Sequence, residues 1–157
     1  MSKKVVGAII SLVFLAVGGY YFYQNISGNT DVMMEYLEET QSITDGYLML
    51  LIEEQSIEDE EELEQFTMNN VIPTMDTLTH EAKEIEATID REELNEVHAL
   101  LIESFESLIE ANQLWLEGSS EADELFMQSD ELYLQYEEEL ENLASKWGVE
   151  ISWEEME

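Results

Sequence analysis

The chain has no cysteine, a single proline at position 73, and no acidic residue before Asp31. Without thiols there is no disulfide framework, no thiol nucleophile and no lipid-modified cysteine to hold the chain at a membrane. Basic residues are scarce as well: five Lys and Arg stand against 38 Asp and Glu, a formal net charge of −33. All of the acids fall from Asp31 onward, where only Lys83, Arg91 and Lys146 oppose them. A polyphosphate needs a basic face, so nucleic acid is excluded as a partner. Like charge in this excess opposes compaction and is better tolerated where counterions are plentiful. Weak, diffuse cation association is therefore expected, and a protein partner is expected to be basic or membrane-embedded. Disorder is the other route to such acidity, but 45% hydrophobic and 10% aromatic residues argue for a folded chain.

The missing acids leave the N-terminus to apolar residues. Lys3 and Lys4 precede VVGAIISLVFLAVGGYYFY, residues 5–23, which carry no charge. That length is close to the roughly 20 residues a helix needs to cross a bilayer. Ala16-Val17-Gly18 has the small-x-small form of a signal-peptidase site, so release after Gly18 as a secreted protein is the alternative. Tyr20, Tyr21, Phe22 and Tyr23 favour retention, because aromatic residues suit the headgroup level at the end of a span. The lysines then hold residues 1–4 in the cytoplasm, 5–23 form a signal-anchor helix, 24–30 a polar spacer, and 31–157 an acidic extracytoplasmic domain.

Within that domain apolar residues recur at three- and four-residue steps, the period of an amphipathic helix. Met33, Tyr36, Leu37, Ile43, Tyr47 and Leu50 mark a first helix, from Asp31 to about Glu54. Ser56 is a candidate cap for a second, in which Val71, Met75, Leu78, Ala82 and Ile85 form the stripe and Pro73 imposes a kink or a break. Asp90 to Glu93 resembles a capping box before Leu94, Val97, Leu101, Phe105 and Trp115, and Gly118 ends that helix. A fourth runs through Ala122, Ser129, Tyr136, Leu140 and Trp147 to Gly148. Short connections predict an all-α, antiparallel, up-down-up-down four-helix bundle, with three helices as the alternative. In the tail Val149, Ile151 and Trp153 alternate with polar and acidic residues, which predicts a strip laid over the bundle or, at Trp153, a contact offered to a partner.

Catalytic patterns are missing. A di-metal bundle needs Glu three residues before each ligand histidine, but Thr77 precedes His80 and Asn95 precedes His98. In HEAKE the second zinc-protease histidine is replaced by Glu84, so both histidines read as surface or boundary residues. The acidic run from Asp59 lacks the glycine and alternating ligands of a calcium loop. No cofactor, metal or catalytic residue is assigned. The expectation is a membrane-anchored, non-enzymatic binding or assembly component of a bacterial cell envelope. The alternative is an extracytoplasmic sensor or carrier of a small ligand or cation that signals through a partner.

Overall fold

The computed structural model describes residues 10–15 and 23–155, with side chains from Gly28 to Ile151. In chain order they form β1 (Ile10–Leu15), α1 (Tyr23–Gln55), α2 (Glu60–Phe66), a π-helical turn (Thr67–Val71), α3 (Ile72–Glu86), α4 (Glu92–Leu116), α5 (Ala122–Lys146) and β2 (Glu150–Glu155). Apart from the short β1–β2 ribbon the described residues are all-α. Because α2, the π turn and α3 run on without interruption, there are four helical rods.

Local chemistry explains most of the boundaries. Asp59 caps α2, its carboxylate accepting the Glu62 N–H at 3.0 Å, and Glu60, Glu61 and Glu62 occupy the turn where the helix dipole favours negative charge. The expected cap Ser56 lies in the preceding turn, and Arg91 rather than Asp90 holds the N-cap position of α4. Pro73 does not split its rod. The π turn lies directly before it, with the Ile72 N–H bonded to Thr67 O five residues back, so the wider turn absorbs the proline's missing donor. Gly118 and Gly148 close α4 and α5 at φ +73° and +81°. In both, the N–H of the residue after the glycine folds back onto the last turn: Ser119 onto Leu114 O and Val149 onto Ala144 O.

Contacts between rods establish their antiparallel order. Gly46 of α1 lies against Leu78 of α3, where an added Cβ would come within 3.1 Å of Leu78 Cδ2. Lys83 pairs with Glu106 across α3 and α4, and Lys146 with Glu93 across α4 and α5. Ser104 and Ser129 exchange hydroxyl-to-carbonyl hydrogen bonds at 2.9 Å in each direction, which requires close approach of α4 and α5. Thr30 donates to Trp147 O across α1 and α5. One core cluster takes side chains from all four rods and from the tail, where Val149 and Ile151 are buried.

The N-terminal expectation changes in two respects. Helix α1 begins at Tyr23, so residues 24–30 are helical backbone rather than a spacer. The expected transmembrane helix over 5–23 is extended at Ile10–Leu15, which pairs antiparallel with β2 from Ile10↔Glu155 to Leu15↔Glu150. ISLVFL is a short apolar run whose composition suits a strand as readily as a helix, and a tail with alternating residues lies beside it. Among the described residues no helix is long and apolar enough to cross a membrane. Lys3, Lys4, Tyr20, Tyr21, Phe22 and the Tyr23 side chain lie outside the described residues.

The two left-handed glycines are testable. Gly118→Ala and Gly148→Ala are each expected to cost about 1 kcal/mol in urea unfolding, since an L side chain is strained in that conformation. At Gly118 nothing lies within 4 Å of the added Cβ, so backbone strain alone is read there. Unchanged midpoints in both variants would contradict the assigned caps.

Candidate functional site

Where the four rods meet, the interior is polar. His98 is fully buried, a correction to the surface or boundary position expected from the sequence. Its Nε2 lies 2.7 Å from Ala82 O, which can only accept, so Nε2 carries the proton and Nδ1 is left as an acceptor. The Tyr36 hydroxyl, 2.9 Å away, donates to Nδ1 and in turn lies 3.2 Å from the Tyr136 hydroxyl, which donates to it. Thr40 donates to Tyr36 O one turn back. Burial holds the His98 imidazole below its ordinary pKa, which keeps this tautomer neutral, and pushes Tyr136 up to about 12.

Aromatic rings extend the cluster toward the α2 end of α1. Tyr47 packs 5.2 Å from Phe105 and 4.9 Å from Tyr133, which lies 5.9 Å from Tyr136. Burial raises the Tyr47 phenol above its ordinary range, and the charges of Asp130, Glu54 and Glu137 add to the effect. Those carboxylates therefore share the Tyr47 side of the bundle. Burial alone pushes Glu137 up to about 7 and raises Asp130.

The chemistry available here is limited by access. The relay is sealed from solvent and ties the four rods together. His80 is exposed, its Nε2 3.6 Å from Glu84 Oε1, and shares nothing with His98. Among the described residues no group of three or more His, Asp or Glu could hold a metal ion. Clefts along the α4–α5, α3–α4 and α1–α3 seams are open to solvent rather than enclosed.

The remaining seam, between α1 and α5, carries three of the five exposed large apolar residues. On α1, Ile43 lines the cleft with α3 and Gly46 faces Leu78, so helical geometry turns Leu48 and Ile52 toward α5. On α5, Gln135, Glu139 and Asn142 line the cleft with α4, which turns Asp130, Leu134, Glu137 and Met127 toward α1. Ile52, Met127 and Leu134 are 44, 64 and 55% exposed along it, whereas the exposed Met49 shares the α3 flank of α1 with Ser42 and the exposed Met68 lies on the second rod. Of the sequence-predicted site residues, Trp153 lies in β2 with its backbone opposite Leu12, and its side chain is outside the described residues. The Tyr36–His98–Tyr136 relay and the α1–α5 seam were missed. The available signal was Tyr36, His98 and Tyr136 each on a core stripe, where a polar group demands a partner. Compared with known proteins, the chain matches no family model, no curated protein and no solved structure.

Glu137 gives this seam a pH dependence. Its folded pKa of about 7 lies above its ordinary value of 4.5, so its burial penalises the fold fully above pH 7. The penalty is relieved as pH falls from 7 to 4.5. Glu137→Gln is expected to be about 1–2 kcal/mol more stable than the parent at pH 8, after discounting for partial solvent access, with the difference closing below pH 4.5. Urea unfolding at pH 8, 6 and 4 reads it, and a difference independent of pH would contradict the assignment.

Proposed function

We propose that the protein is a membrane-anchored, non-enzymatic binding or assembly component of a bacterial cell envelope. In this reading residues 5–23 cross the membrane, Lys3 and Lys4 stay in the cytoplasm, and Tyr20, Tyr21, Phe22 and Tyr23 sit at the outer headgroup level. An open two-stranded ribbon would leave backbone groups without partners in lipid, so the Ile10–Leu15 run becomes helical on entering the bilayer. Trp153 in the released tail is then offered to a partner.

The observation that carries the binding role is the placement of Met49, Ile52, Met127 and Leu134 at the surface of a chain with net charge −33. Exposed apolar groups rimmed by charge favour an interaction surface. The histidine in the core is sealed and serves the fold, so function rests on surface and location.

Fractionation with intact mass measurement tests the anchoring. The native protein is expected in the membrane fraction, released by detergent but not by high salt, with residues 5–23 retained in its mass. A soluble chain beginning at Gly19 would overturn it.

A further inference from the structure

We propose that the α1–α5 seam docks a basic amphipathic helix of a partner protein. The inference rests on the binding role proposed above and names the surface and the chemistry of the ligand.

Three observations converge on this seam. First, the described cations are committed elsewhere: Lys83 bridges α3 and α4, Lys146 bridges α4 and α5, and Arg91 donates to Asn29 at the opposite end from Met49 and Met127. Second, acids flank the seam on both helices. Glu38 and Asp45 lie exposed on its α1 side by helical spacing, and the exposed Asp130 lies on its α5 side. Third, α1 reaches α5 through long aromatic side chains, with Tyr36 and Tyr136 meeting at their hydroxyl tips, whereas α4 and α5 touch through serines. Helices α1 and α5 are therefore spaced more widely than α4 and α5.

Its apolar residues have the spacing a helix reads. Met127 and Leu134 stand two turns apart on α5, and the antiparallel pairing of Thr30 with Trp147 and Tyr47 with Tyr133 brings Ile52 level with Met127. A docked helix can present apolar residues at i, i+3 or i+4, and i+7 to this stripe, and Lys or Arg on its flanks to the acids. Methionines suit such a surface because their unbranched side chains re-pack around different partners.

The charge selects among occupants. A second copy would bring carboxylates against carboxylates, and an anionic leaflet would repel the same rim. A basic helix supplies the countercharge that the seam lacks.

The full-length chain in a zwitterionic nanodisc, labelled with ¹³C at the methionine methyls, provides the test. The probe is an 18-residue Leu/Lys peptide with leucines at three- and four-residue steps, and the control is a scrambled peptide of the same composition. The Met127 methyl signal is expected to shift and saturate at least tenfold earlier with the amphipathic peptide, while Met68, 58% exposed on the second rod, and Met49, on the α3 flank of α1, stay in place. Leu134→Ser, an exposed position that does not threaten folding, is expected to weaken the interaction at least fivefold. Equal responses to both peptides, equal movement of Met68, or no effect of Leu134→Ser would overturn the seam as the site. The fractionation result is independent, so loss of the docking site and loss of membrane anchoring are told apart.

Discussion

Ala82, His98, Tyr36 and Tyr136 are joined by hydrogen bonds that take one group from each of the four rods. Each bond contributes only about 1 kcal/mol net, but a buried donor or acceptor left without its partner costs about 1–3 kcal/mol. Apolar burial of residues such as Phe105, Leu101 and Leu140 supplies more of the stability, at about 2 kcal/mol per large side chain. Apolar packing tolerates sliding, however, and a hydrogen-bond relay does not. Moving one rod by a single turn, about 5.4 Å, would strand the imidazole or a phenol in the core. The relay therefore sets the register on which the aromatic box of Tyr47, Phe105 and Tyr133 depends.

Charge sets the second layer of the design. With three cations among the described residues, only a few seams can be bridged, and Lys83 and Lys146 bridge those on either side of α4. These exposed pairs add little stability individually. Their distribution still matters, because it leaves the α1–α5 surface acidic and apolar together. That combination unites the fold with the binding role: the interior relay holds α1 and α5 in register, and their outward flanks form one continuous surface.

Much of this fold is legible in the residues. The three- and four-residue steps locate all four rods, and Gly118 and Gly148 mark the ends of two of them because left-handed backbone there strongly favours glycine. Val149 and Ile151 are found inside, as alternation in the tail implies. Three features escape a one-dimensional reading. The π turn before Pro73 depends on how a continuous rod absorbs a missing donor, and a sequence pattern does not distinguish that from a break. The burial of His98 depends on Ala82 O and Tyr36 arriving from other rods. The α1–α5 surface depends on which flank of each helix faces which neighbour, information carried by Gly46 against Leu78 and by the α4–α5 cleft.

The relay is the claim on which the account rests, and ¹⁵N NMR of the His98 imidazole across pH 5 to 8 tests it most directly. The account predicts a neutral ring with the proton on Nε2 at the upper end of this range, that proton slow to exchange with water, and any titration shifted below the ordinary histidine value. An imidazole that titrates near its ordinary value, or one that carries its proton on Nδ1, would contradict it.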